Sequence, residues 1–213
     1  MKGDVIIVEA HHRRAAAAIV ERILPAIQAR PGRWAISVAG ESGSGKSETA
    51  QALAEALEAK GIHAAVLQQD DYFVYPPKTN DATRRRDIGW VGTGEVRLDL
   101  LDEHLAAALA GAAAIRKPLV IYEDDRITEE DLPLEGVKVV IAEGTYTTLL
   151  EHVDTRVFIA RNRLETMEAR RRRAREAPDP FLEEVLTIEH GIIGPHRELA
   201  DIVITRDYDV EVR

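Results

Sequence analysis

The run Gly40-Glu41-Ser42-Gly43-Ser44-Gly45-Lys46-Ser47 constrains this chain more than any other stretch, because it fits the pattern G-x-x-x-x-G-K-[ST]. An apolar run over 34–39 precedes it and a helical pattern over 48–59 comes after. A strand, a glycine-rich turn and a helix in that order bring successive backbone N–H groups together at a helix N-terminus, where they bind anions. Gly40, Ser42, Gly43, Ser44, Gly45, Lys46, Ser47 and Glu48 are therefore candidate contacts to a nucleoside triphosphate. Lys46 would reach the β- and γ-phosphates, and the Ser47 hydroxyl would ligate Mg²⁺.

Five apolar segments, at 34–39, 64–68, 137–142, 155–160 and 201–205, read as strands covered on both faces. Helical patterns at 47–60, 99–110, 164–176 and 180–190 lie between them. The expected fold is α/β, a doubly wound parallel sheet of about five strands with helices on both faces, carrying an Arg-rich lid. Residues 1–32 read as an N-terminal extension packed on the core, and 33–213 as the main domain. Within the extension, 5–8 could form a short edge strand. Residues 11–29 read as a helix with Ile19, Ile23 and Ile27 four apart and a kink at Pro25. His11 and His12, adjacent on that helix, are expected to be a solvated pair rather than metal ligands.

Composition narrows the class. A chain of 213 residues that is 45% hydrophobic suits one α/β domain with additions. A net charge of -9 argues against sequence-independent nucleic-acid binding. No apolar stretch approaches the roughly 18 residues of a membrane span, and the opening apolar run is too short for a secretory signal. The absence of cysteine excludes disulfides, thiolate metal sites and thiol nucleophiles. The expectation is a cytoplasmic protein whose partner is a small-molecule phosphoryl acceptor, without nucleic acid or membrane, with a homo-oligomer left open.

The remaining motifs bear on the chemistry done with the bound nucleotide. A guanine-reading N-K-x-D is absent, and ATP is the expected nucleotide. Asp70, at the end of the second apolar segment, could accept the proton of an attacking hydroxyl, with Asp71 the alternative. Glu143, closing Val139-Val140-Ile141-Ala142, is a Walker B-like carboxylate for Mg²⁺, and Gly144 would allow close approach to the phosphate loop. Arg170, Arg173 and their neighbours through Arg175 could close over the phosphates. Arg84 and Arg86, in a basic stretch over 75–86 read as a loop, could grip an anionic acceptor.

Taken together, residues 34–207 resemble the uridine kinase and phosphoribulokinase group of kinases, which also includes bacterial pantothenate kinase. The resemblance rests on residues 40–47, on Gln69-Asp70-Asp71-Tyr72-Phe73, on Glu143-Gly144 and on Arg156-Val157-Phe158-Ile159. The arginine run and the segment from Pro195 through Ala200-Asp201-Ile202-Val203-Ile204 complete it. It implies Asp70 as general base with Lys46 assisting, Tyr72 as a substrate-side aromatic and Tyr122 as a wall of the nucleoside pocket. Two features of uridine kinases are missing: an Asp-His-Pro segment, absent from the corresponding region Asp87-Ile88-Gly89-Trp90-Val91-Gly92-Thr93-Gly94-Glu95-Val96-Arg97, and a histidine shortly after Tyr122. The expected activity is an ATP- and Mg²⁺-dependent, uridine kinase-like transfer to a hydroxyl. The alternatives are a phosphoribulokinase- or pantothenate kinase-like acceptor, or a regulatory nucleotide-binding protein without transfer.

Overall fold

The computed structural model describes residues 5–162, 165 and 179–213. Helix α1 (Ala10–Ala29) leads into β1 (Trp34–Gly40), the phosphate-loop segment, α2 (Lys46–Glu58) and β2 (Ala64–Gln68). Helices α3 (Pro77–Arg86) and α4 (Leu98–Leu109) precede a hairpin of β3 (Ala114–Ile121) and β4 (Arg126–Pro133). The chain then forms β5 (Val139–Glu143), β6 (Thr155–Ile159), α5 (Pro180–Ile193), β7 (Ile202–Ile204) and β8 (Val210–Val212).

The main sheet runs β2-β5-β1-β6-β7-β8, with all pairs parallel except the last. Its first five strands are the five read from the apolar runs. Successive side chains alternate between two faces, and both faces are apolar here. Ile36, Val38, Ile141, Val157, Ile159, Ile202 and Ile204 pack against α1 and α2. On the opposite face Ala35, Val140 and Ala142 meet α4, Tyr72 and Tyr146, while Ala39, Phe158 and Val203 meet Ile193 of α5. Full burial of a residue such as Leu53 or Leu57 of α2 is worth about 1.5–3 kcal/mol.

Several expectations need correcting. Residues 5–8 join no ladder. The stretch read as a basic loop is helix α3, opened by Pro77 at its first position; its sequence hid this because Asn80 is its one buried residue. The hairpin and β8 were not expected: Pro118, Arg116 and Lys117 interrupt β3, and Glu129, Glu130 and Asp131 make β4 read as polar. His12 is buried, not solvated. Pro25 lies inside α1, which continues to Ala29.

Helix α1 adds Ala15, Ala16, Ile19, Val20, Ile23 and Ile27 to the same cluster that covers β1 and β5. At the entry to β1, Arg33 donates to the carbonyls of Ala108 (2.7 Å), Ala112 (2.8 Å), Leu134 (2.8 Å) and Val137 (3.0 Å). It thereby ties the end of α4 to the approach to β5. Arg33→Ala strands those carbonyls, two of them at a helix end, and should cost about 3 kcal/mol. Thermal unfolding should show a melting temperature lower by about 6–12 °C; a change below about 2 °C would show that water replaces the guanidinium without cost.

Candidate active site

Strand β1 stops at Gly40 and α2 starts at Lys46, so the intervening residues must turn sharply. Gly45 caps α2 at φ +99°, on the left-handed side of the map where residues with a Cβ are rare. Lys46 Nζ reaches back across the turn to the Glu41 carbonyl at 3.1 Å. In the sheet register Val38 and Gln68 both pair with Glu143, so Glu143 ends β5 between the ends of β1 and β2. There the Ser47 hydroxyl donates to Glu143 Oε1 at 3.1 Å. Burial, and next the charge of Asp70, push the Glu143 carboxyl up, against the pull of Lys46 and Ser47.

The two aspartates after β2 divide cleanly. Asp70 is exposed, and its charge reaches Glu143 and Glu189. Asp71 is buried: Oδ2 lies 2.8 Å from Lys117 Nζ, and Oδ1 accepts the Val120 N–H at 3.0 Å. Lys117 also pairs with Glu130 at 2.7 Å, so this triad anchors the β3–β4 hairpin beside the strand ends. A cavity of about 520 Å³ opens there, walled by Ser47, Glu143, Gln68, Asp71, Lys117 and Glu130. Its size suits a small molecule.

Several expected site residues stand elsewhere. Tyr72 is fully buried among Leu101 and Leu105, with its hydroxyl 2.8 Å from His104 Nδ1, so it belongs to the core rather than the crevice. Tyr122 stands just past β3, 37% exposed, with Lys78 Nζ 6.0 Å from its ring centre. Arg84 is enclosed by carboxylates: it donates to both oxygens of Glu95, one at 3.0 Å, and to Glu189 at 3.3 Å. Arg86 is exposed at the end of α3. Glu48 is buried, and its charge acts on His11, His12 and Tyr208. Gly144 makes room for Gln69, whose Cβ would lie 2.2 Å from a Cβ at that position, rather than for the phosphate loop. Arg170, Arg173 and the rest of their run lie outside the described residues.

Other residues at the site escaped the sequence reading. Glu189 and His190 of α5 act side by side, Glu189 on Arg84 and His190 on Glu41 of the loop at 2.7 Å. Burial raises Glu189, Arg84 opposes it, and the charges of Lys46 and Asp70 both reach it. Tyr146, three residues past Glu143, has a buried hydroxyl with no hydrogen-bond partner among the described residues, and the charges of Glu189, Glu95 and Arg84 reach it. Behind the loop, His12 Nε2 lies 3.1 Å from the Tyr208 hydroxyl.

A glycine-rich turn, an adjoining serine and lysine, and two carboxylates on neighbouring strand ends define a P-loop phosphotransferase. Known proteins agree. Residues 35–173 match the phosphoribulokinase / uridine kinase family, and the chain belongs to that family. It is therefore an ATP-dependent small-molecule kinase. It is 33% identical over 192 residues to the bifunctional alpha-galactosidase/sucrose kinase AgaSK of Mediterraneibacter gnavus, covering 84% of this chain but 20% of that enzyme. To a uridine kinase of Leuconostoc citreum it is 26% identical, over 79% of this chain and 85% of the relative. The D-glycerate 3-kinase of Cryptococcus neoformans shares the fold, with a TM-score of 0.62 at 14% identity, covering 96% of this chain and all of that one. Among the described residues, no helix is long and apolar enough to cross a membrane.

The division between the aspartates is open to direct test. Asp70→Asn should cut turnover by about 10²–10⁴-fold while ATP affinity holds. Asp71→Asn takes one of two carboxylates from the buried Lys117, leaving Glu130, and should instead lower stability by about 1–3 kcal/mol. Steady-state kinetics beside urea unfolding separates the two, and an inactive but fully stable Asp71→Asn would exchange their roles. A pH effect is expected at His12, whose pKa burial and His11 lower from 6.5 to about 4, with Arg161 adding to the drop and Glu48 and Glu9 opposing it. Below about pH 6.5 the unfolded chain takes up a proton that the folded chain excludes. Stability should therefore fall as pH drops from about 6.5 to about 4, by up to about 1.4 kcal/mol per pH unit, and level off below. Unfolding curves of wild type and His12→Gln across that range should differ in slope; parallel curves would place the proton elsewhere.

Proposed function

We propose that this kinase transfers the γ-phosphoryl group of ATP to a hydroxyl of an uncharged polyhydroxy acceptor, a carbohydrate. The observation that carries this reading is the enclosure of Arg84 by Glu95 and Glu189. A guanidinium whose charge two carboxylates already offset adds little net attraction for an anion. With Asp70 nearby, the local balance is negative, and a carboxylate or phosphate on the acceptor would be repelled. Hydroxyls, in contrast, donate to carboxylates, and the buried Tyr146 hydroxyl has hydrogen-bonding capacity to offer. The missing Asp-His-Pro segment and the missing histidine after Tyr122 weigh against a nucleoside. The sucrose kinase named in the relative from Mediterraneibacter gnavus points the same way.

In this reading the loop amides and Lys46 hold the β- and γ-phosphates. Asp70 orients the acceptor hydroxyl and takes its proton as the oxygen bonds to the γ-phosphorus. The bond to the β-γ bridging oxygen breaks and ADP leaves. Ser47 and Glu143 fit a magnesium site: a hydroxyl and a buried carboxylate whose charge, crowded by Asp70, a cation would relieve. Among the described residues no group of three or more His, Asp or Glu could hold a metal ion by itself. Bound at Ser47 and Glu143, Mg²⁺ would neutralise charge on the β- and γ-oxygens.

The test is a coupled ADP-release screen over sucrose, fructose, other sugars and polyols, uridine, cytidine, glycerate and ribulose 5-phosphate. A neutral carbohydrate should raise ADP release well above the rate with no acceptor, and the anionic compounds should not. Uridine phosphorylated with kcat/KM above about 10⁴ M⁻¹s⁻¹, or a phosphorylated sugar as the best acceptor, would refute the carbohydrate assignment.

A further inference from the structure

Helix α1 precedes the family-matched stretch of 35–173, yet it reaches the back of the phosphate loop. We propose that His12 and Tyr208 form a clamp that holds the Ser44–Gly45 peptide with its N–H turned toward the triphosphate, which makes both of them positioning residues for the phosphoryl donor. The proposal rests on the reading of residues 40–47 as the triphosphate cradle.

The hydrogen bonds run in one direction only. The Glu9 N–H donates to His12 Nδ1 at 3.1 Å, so the imidazole proton sits on Nε2 and points at the Tyr208 oxygen, 3.1 Å away. Arg161 Nη1 donates to the same oxygen at 3.1 Å. With two donors aimed at it, the Tyr208 hydroxyl gives its own proton to the Ser44 carbonyl at 3.0 Å. A cation at His12 would place a second proton against the Glu9 N–H, so the chain requires the neutral ring.

The effect on the loop is set by peptide geometry. The described peptide bonds are all trans, and in a planar trans peptide the C=O and N–H point in opposite directions. Pinning the Ser44 carbonyl rearward therefore aims the Gly45 N–H forward. Without the pin, the peptide before a glycine turns over with little steric resistance, and a turned peptide would present its carbonyl oxygen to the phosphates. The clamp closes directly on the loop: a Cβ on Gly45 would lie 2.4 Å from the Tyr208 hydroxyl and 3.1 Å from His12 Nε2. Tyr208 itself is held at φ +64°, an unfavourable conformation for a bulky residue, where the β7–β8 hairpin closes through its N–H on the Thr205 carbonyl (3.0 Å) and the Thr205 N–H on the Asp209 carbonyl (2.8 Å).

The experiment is calorimetry of Mg·ATP and of Mg·tripolyphosphate on full-length wild type, Tyr208→Phe, His12→Ala, His12→Gln and the double variant, beside melting curves of each without ligand. Tyr208→Phe and His12→Ala should each weaken both ligands about 10-fold, the worth of roughly one hydrogen bond. His12→Gln, which keeps an acceptor and a donor, should stay within about 3-fold of wild type. The double variant should be no more than about 2-fold worse than either single, because the residues act in series. Affinities unchanged in Tyr208→Phe, with only the melting temperature lowered, would reduce the pair to structural packing and overturn the proposal. So would a loss confined to ATP, since that would set the residues against the nucleoside. If His12→Ala does not fold, Tyr208→Phe and His12→Gln decide. Wild type that binds neither ligand would overturn the cradle reading, and the clamp with it.

Discussion

The parallel pairing of β1 with β5 is the constraint on which the rest depends. It sets Val38 beside Glu143, so that the strand leading into the phosphate loop and the strand carrying Glu143 end at the same level. The 3.1 Å contact between Ser47 and Glu143 is a consequence of that register. A slip of one residue would turn Glu143 to the other face of the sheet. The slip is opposed because Val139 and Ile141 pack toward α1 and α2, while Val140 and Ala142 pack toward α4. Core packing on two faces thus fixes the geometry of a polar site at the sheet's edge.

Charge is arranged around that edge in two compartments. On the donor side Lys46 and the loop amides present positive potential. On the proposed acceptor side Glu95 and Glu189 enclose a single arginine, the charge of Asp70 reaches Glu189, and the cavity wall at Asp71, Lys117 and Glu130 is tied up within itself. Arginines in a stretch of sequence suggest anion binding, but their partners decide. Arg84 meets carboxylates from two distant segments, and Arg85 pairs with Asp81 and Asp179. Helix α5 links the compartments, since adjacent residues His190 and Glu189 touch the loop and Arg84 respectively.

The parts legible in the sequence are those whose physics is local. The phosphate loop is a contiguous motif, and the five parallel strands are apolar because both their faces are covered. Glu143 and Asp70 stood out as candidates because the one closes such a strand and the other follows one by two residues. Illegible were elements whose stability comes from partners far away in the chain. Helix α3 has no apolar stripe and is held through Asn80 and Arg84 on Glu95. The hairpin is anchored by a charge pair between Asp71 and Lys117, 46 residues apart. His12 looked like half of a solvated pair because its partner, Tyr208, is 196 residues away. Tyr72 was given to the substrate by resemblance, yet the packing of Leu101 and Leu105 claims it for the core.

The strand-end site is proposed to move a phosphoryl group from ATP to a neutral hydroxyl by way of Asp70. The most direct measurement incubates γ-³²P-labelled ATP with the protein and a mixture of neutral sugars, then resolves sugar phosphate from inorganic phosphate. Wild type should place label in a sugar ester, and Asp70→Asn almost none at equal ATP occupancy. Label released only as inorganic phosphate, or sugar ester formed equally well by Asp70→Asn, would contradict that route.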